Sequence, residues 1–164
     1  MFDMSETIKT RGETTIIDNA RVAIVVSQFN PKVTHGLLDG ARLELAEAGL
    51  ALAEEDVFEA PGAFEMPLIA KKLAQSGRYD GVACLGCVIK GDTAHFEFIS
   101  LGATMGIMEA SLETEVPICF GILTTYTQEQ AVVRSSADAE NKGREAVAAC
   151  LSSLAALQRI SEFS

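Results

Sequence analysis

The stretch GVACLGCVIKGDTAHFEFI, residues 81–99, changes character halfway along. Residues 81–89 form an unbroken apolar run, the pattern of a strand buried on both faces of a sheet. The polar turn Lys90-Gly91-Asp92-Thr93 follows, and from about Ala94 to Glu113 apolar residues recur at helical spacing. The same alternation holds on either side. Residues 21–26 (RVAIVV) read as a strand, and Asn30-Pro31 supplies a cap and first-turn proline. The helix that follows carries Val33, Leu37, Ala41, Leu45 and Ala48 on one face and stops at Gly49. Residues 56–59 form a second strand broken by Pro61-Gly62, and a helix runs from about Glu65 to Ser76. Residues 117–123 (PICFGIL) are the fourth strand, 127–134 a short helix and 141–160 the last helix. Residues 1–12 are polar and expected to be mobile, residues 14–17 are a candidate short strand, and 13–160 are expected to form one domain.

Strands alternating with helices imply right-handed crossovers and a parallel sheet covered on both faces. The expectation is a three-layer α/β/α sandwich with a four-stranded parallel sheet in flavodoxin-like order. Such sheets bind ligands beyond the carboxyl ends of their strands. The unusual residues fall there: Ser27-Gln28-Phe29-Asn30, Ala60-Pro61-Gly62-Ala63-Phe64-Glu65, Lys90-Gly91-Asp92-Thr93-Ala94-His95 and Thr124-Thr125-Tyr126-Thr127.

The chain has 164 residues, 48% hydrophobic and 22% charged, with a formal net charge of −10. That balance disfavours a general nucleic-acid binder, which needs a basic stripe. No run approaches the roughly 20 apolar residues of a membrane span, and the first residues lack the apolar core of a signal peptide. A cytoplasmic protein is the expectation. Cys84-Leu-Gly-Cys87 has redox or zinc spacing, but on a strand residues three apart face opposite sides, so the sulfurs should diverge. Two isolated histidines and no acidic cluster disfavour a metal site.

The helix from Ala94 carries two apolar stripes. Phe96, Ile99, Ala103, Ile107 and Ala110 form one; Leu101, Met105, Met108 and Leu112 lie about 140° away at roughly 100° per residue. One stripe can face the sheet; the other fits either the last helix or a second subunit.

Gly91-Asp92-Thr93, between strand and helix, offers backbone N–H groups to a phosphate, although a plain N-cap has the same composition. It is not a Walker A loop, because Asp92 stands where lysine is required, and no G-x-G-x-x-G occurs. His95 follows in the first turn, a position suited to proton transfer or to a local hydrogen bond. Phe29 either caps the core or stacks on a planar ring. Glu65 either complements its helix or accepts hydrogen bonds from a polyol. Arg134 and Lys142 flank a polar connection, and arginine suits bidentate phosphate binding.

Taken together, SQFN at 27–30, PGAFEMP at 61–67, GCVIKGDTAHFEFI at 86–99, FGILTT at 120–125, EQAVVR at 129–134 and NKGREA at 141–146 resemble the lumazine synthase family. The resemblance covers about residues 20–157. It implies condensation of 5-amino-6-ribitylaminopyrimidinedione with 3,4-dihydroxy-2-butanone 4-phosphate, with no metal or organic cofactor, and a functional link to riboflavin synthase. It further implies that Phe29 stacks on the heterocycle, that Asn30 lies beside the ribityl chain, and that Ala63, Phe64 and Glu65 hold that chain. Val88 and Ile89 would line the ring. Gly91, Asp92 and Thr93 would receive the phosphate, with His95 transferring protons. Phe120, Arg134 and Lys142 would come from an adjacent subunit of a homopentamer, Arg134 binding phosphate.

Two features depart from the family pattern. Members that form icosahedral shells carry a linker with glycine and lysine, whereas here residues 135–140 read SSADAE; and Tyr126 stands where an acidic residue is common. Higher assembly therefore stays open. A non-catalytic flavin- or lumazine-binding protein of the same fold would keep Phe29 and Glu65 but has no need of His95 or Arg134. A flavodoxin-like electron carrier would need a Ser/Thr- and Gly-rich loop after the first strand, unlike SQFNPK.

Overall fold

The computed structural model describes residues 17–163. The expectations for residues 1–12 and for a strand over 14–17 lie outside them, apart from Ile17, which is buried. The strands are β1 (Val22–Ser27), β2 (Val57–Ala60), β3 (Gly81–Ile89) and β4 (Ile118–Thr125). The helices are α1 (Pro31–Glu47), α2 (Met66–Gln75), α3 (His95–Thr114), α4 (Gln128–Arg134) and α5 (Lys142–Ser161). All strand pairs are parallel, in the order β2-β1-β3-β4, so the doubly wound, flavodoxin-like sheet stands as expected.

The core lies in two layers. Val33, Leu37, Ala41 and Leu45 of α1 and Val147, Cys150 and Leu151 of α5 cover one face of the sheet. Met66, Ala70 and Ala74 of α2 and Ala103, Ile107 and Ala110 of α3 cover the other. Cys87 belongs to the first layer and Cys84 to the second, so the two sulfurs diverge. Burial pushes the Cys87 thiol up to about 11 and Cys84 further still, which keeps both protonated and unreactive near neutrality.

Local differences from the sequence reading have physical causes. β2 starts at Val57 because the residues before it, Glu54–Asp56, form a 3-10 turn that buries Asp56 against Arg21 and Tyr79. β4 runs on through Thr124 and Thr125, which pair with Val88 and Ile89, so those threonines are strand rather than loop. Ala63–Glu65 form a separate 3-10 turn before α2. Asn30 heads α1, but its side chain does not cap the helix. Its backbone is left-handed (φ 55°), a conformation asparagine tolerates, and its Nδ2 donates to the Cys87 carbonyl at 3.1 Å. The β1–β3 ladder reaches only to Leu85, so this amide extends the tie between the two segments.

The α1–α5 seam is closed by Asn141, which is 1% exposed. Its Oδ1 accepts from the Gly143 and Arg144 N–H groups, while its Nδ2 donates to the Gly36 and Ser136 carbonyls. Gly40 permits this approach, since a Cβ there would lie 2.1 Å from Asn141 Oδ1.

Candidate active site

The carboxyl ends of the strands carry most of the expected residues. Phe29, in the turn after β1, is 67% exposed and its N–H donates to Ser27 Oγ at 3.2 Å. Glu65, at the end of the 3-10 turn, reaches the same place. A Cβ on Gly62 would sit 3.1 Å from Glu65 Oε2 and 3.4 Å from the Phe29 ring, so glycine lets ring and carboxylate converge. Ala63 is buried beneath them, while the Phe64 ring turns toward α3, over Gly102.

Val88 and Ile89, adjacent on β3, pack against opposite layers: Val88 with the α2–α3 side and Ile89 with the α1–α5 side. Strand alternation therefore prevents both side chains from lining one pocket. Val88 shares the layer of Ala63; Ile89 can reach that side only through its main chain.

Gly91, Asp92, Thr93 and His95 are all exposed in the turn that opens α3. Neither Asp92 nor Thr93 caps this helix: its N-cap residue is Ala94, with no side-chain cap. The Thr93 hydroxyl instead accepts from the His95 N–H at 3.4 Å, which holds the threonine beside the histidine. A Cβ on Gly91 would meet nothing within 4 Å, so no internal packing requires glycine there. A helix N-terminus with exposed N–H groups suits an anion.

Phe120, Arg134 and Lys142 come together elsewhere. They line one cavity of about 310 Å³ along β4, α4 and α5, together with Thr124 and Thr125 but without Phe29, Glu65 or His95. β4 is an edge strand, so this cavity lies at the open edge of the sheet. Arg134 is set by its Nη1, which donates to the Gln130 carbonyl at 3.0 Å, and Lys142 pairs with Glu145. The expected residues thus fall into two groups on one chain.

Sequence reasoning placed Lys90 in the turn after β3 but gave it no role. Its Nζ lies 2.8 Å from Glu97 Oε1, an ion pair that raises the lysine and lowers the glutamate from their ordinary pKa values. A lysine seven residues before a glutamate, across a strand-to-helix turn, was the available signal. Among the described residues no group of three or more His, Cys, Asp or Glu could hold a metal ion.

Fold and site define a doubly wound α/β protein whose exposed ring, carboxylate and helix-terminal imidazole lie beyond the carboxyl ends of the strands, with two cations in a separate cavity along β4. The family model for 6,7-dimethyl-8-ribityllumazine synthase matches residues 19–158. The chain is similar to 6,7-dimethyl-8-ribityllumazine synthase 1 of Caulobacter vibrioides, 66% identical over 142 residues that cover 87% of this chain and 93% of that protein. It is also similar to the 6,7-dimethyl-8-ribityllumazine synthases of Salinibacter ruber (48% over 136 residues; 83% and 87% covered) and Deinococcus radiodurans (44% over 147 residues; 90% and 95% covered). The chain belongs to the 6,7-dimethyl-8-ribityllumazine synthase family of enzymes.

Proposed function

We infer that this chain joins 5-amino-6-ribitylaminopyrimidinedione to 3,4-dihydroxy-2-butanone 4-phosphate, giving 6,7-dimethyl-8-ribityllumazine, phosphate and water. This is the penultimate step of riboflavin biosynthesis, which makes riboflavin synthase the consumer of the product. Phe29 stacks on the pyrimidine, and Glu65 accepts hydrogen bonds from the ribityl hydroxyls beside Asn30, Ala63 and the Phe64 main chain. Val88 and the Ile89 backbone bound the ring. Gly91 and Asp92 N–H groups, the Thr93 hydroxyl and Arg134 receive the phosphate, while Lys142 binds on the pyrimidine and ribityl side and Phe120 closes the ring pocket.

The chemistry follows from these roles. The amine attacks the ketone and loses water to form an imine, phosphate leaves, and the ring closes with loss of a second water. Each carbon–nitrogen bond-forming step moves a proton, and His95 is placed beside the phosphate turn to move it. Holding both reactants in one pocket supplies much of the remaining rate. Phosphate departure gains from fixed N–H groups and Arg134, which face the developing charge.

The observation that carries the reading is the division of the site. The cavity with Phe120, Arg134 and Lys142 contains neither Phe29, Glu65 nor His95, which supports a pocket that a neighbouring copy completes. The second stripe of α3 supports the same conclusion: Leu101, Met105, Met108 and Leu112 are 56–73% exposed on the single chain. A patch of that kind marks an interface. The assembly is a homopentamer, and its place is the cytoplasm; among the described residues no helix is long and apolar enough to cross a membrane.

Mixing the two substrates with the protein tests the reaction: the lumazine's absorbance and fluorescence should appear with phosphate release. Absence of product over the uncatalysed rate overturns the activity. Sedimentation tests the shared site, and a fully active monomer overturns it.

A further inference from the structure

One cluster at the rim of this site has no role in the scheme above. Lys90 is the first residue after β3, Tyr126 the first after β4, and Phe96 and Glu97 directly follow His95 in the first turn of α3. The Lys90 Nζ lies 5.9 Å from the Phe96 ring centre and 5.7 Å from that of Tyr126. The rings are 6.0 Å apart and tilted by 39°. Glu97 Oε1 accepts from the same Nζ at 2.8 Å. Main-chain bonds extend the cluster: the Lys90 N–H donates to the Thr125 carbonyl and the Tyr126 N–H to Gln130 Oε1, both at 2.9 Å. Gln130 in turn holds Arg134 through its carbonyl.

Tyr126 is 67% exposed, so core packing does not account for it. The turn it overlooks has little else to hold it. Residues 91–95 are exposed, and the internal tie from His95 N–H to Thr93 Oγ1 is long at 3.4 Å. A cation within about 6 Å of two ring faces is attracted to both. Its charge is already matched by Glu97, so the amine acts as a tether rather than as an anion ligand.

We propose that Tyr126 and Lys90 are positioning residues for the condensation: they clamp the turn 91–94 and the first turn of α3 against the end of β4, and so fix His95 beside the phosphate turn. This rests on the site reading above. Neither residue touches a substrate in it; both act through the placement of His95.

The test uses the assembled enzyme with Tyr126→Ala, Tyr126→Phe and Lys90→Met, measured by steady-state kinetics, direct pyrimidine binding and amide hydrogen exchange over residues 91–97 without substrate. Loss of the ring should lower kcat about three- to tenfold, a modest misplacement of the proton-transfer group. Pyrimidine affinity should hold within about twofold, as expected for a residue outside its contacts. Exchange over 91–97 should quicken. Tyr126→Phe should recover most of the loss, because the ring face and not the hydroxyl meets the amine. Lys90→Met should resemble Tyr126→Ala, and the double variant should lose no more than the worse single one. Unchanged kcat in Tyr126→Ala, unchanged exchange, or a loss that Tyr126→Phe does not recover overturns the clamp. If the unmodified enzyme forms no lumazine the site reading falls, and hydrogen exchange still decides the clamp.

Discussion

At the amino ends of the strands the charged groups close on one another; at the carboxyl ends, the Lys90–Glu97 pair aside, groups of the same kind stand open. Arg21 donates to Asp56 Oδ1 at 2.6 Å and to Glu55 at 3.0 Å, and its guanidinium lies 5.3 Å over the Tyr79 ring. Tyr79 donates its hydroxyl to the same Asp56 carboxylate at 2.9 Å. Phe29, Glu65, Asp92, His95 and Arg134 are exposed by contrast. Residue type does not separate structure from chemistry here. What separates them is whether the chain itself supplies the opposite charge and the cover, as it does around Asp56, or leaves that to a substrate and a second copy.

His95→Ala breaks the comparison most sharply. If the open end is chemical, turnover should fall about a hundredfold or more, the usual contribution of a placed general acid–base group. Melting temperature and pyrimidine affinity should stay close to those of the parent. A rate within threefold of the parent, read by lumazine fluorescence, removes His95 from the mechanism.

Gly40→Ala probes the closed interior. A Cβ at Gly40 would fall 2.1 Å from Asn141 Oδ1, so α1 and α5 would have to part or the Asn141 hydrogen bonds break. Overpacking of this sort costs about 2 kcal/mol. Urea denaturation should show it, and a change under 0.5 kcal/mol would mean that the seam is looser than drawn. Arg134→Ala returns to the open end with a smaller effect. It should raise KM for the phosphorylated ketone about tenfold, the value of one charge-assisted contact, and leave pyrimidine affinity unchanged. An effect confined to the pyrimidine would reassign Arg134.

The sequence reading went furthest where one principle governed. The alternation of apolar runs and helical stripes gave all four strands and all five α-helices of the described residues, though not the two 3-10 turns, because burial on two faces of a parallel sheet leaves a plain pattern. Val33, Leu37, Ala41, Leu45 and Ala48 are all buried as their spacing required. It failed where tertiary partners compete with local signals. Asn30 has the composition of a cap, yet its amide bonds to Cys87 on another strand. Asp56 read as the first residue of a strand, yet Arg21 and Tyr79, 35 and 23 positions away in sequence, draw it into a turn. For the site, loop positions after strands were legible, because topology converges them. Which residues share a pocket was not legible in spacing: the separation of Phe120, Arg134 and Lys142 from Glu65 and His95 was expected only through the family resemblance, and the opposed faces of Val88 and Ile89 were not expected, because both depend on how the layers pack.

Asp56→Asn measures how closed the closed end is. Burial alone would raise the Asp56 carboxyl, but hydrogen bonds from Arg21 and Tyr79 outweigh it and hold the group below its ordinary 3.8. A carboxylate depressed in the folded state stabilises the fold above that value and ceases to do so as pH falls through the folded pKa. Burial and the bond to Asp56 push the Tyr79 hydroxyl above its ordinary 10.0, so its contribution is present below pH 10 and disappears as pH rises through the raised value. Asp56→Asn takes the carboxylate charge away from both Arg21 and Tyr79, while Arg21 keeps its own charge and its bond to Glu55. Arg21 is 39% exposed at its side chain, so water screens the pair and the loss should be only about 1 kcal/mol near neutrality. The variant's stability should therefore fall less steeply than the parent's below pH 4, and its Tyr79 should titrate earlier by ultraviolet absorbance. Parallel acid limbs in parent and variant would show that the Arg21–Asp56 pair carries no net stability, and the contrast between the two ends would then rest on cover alone.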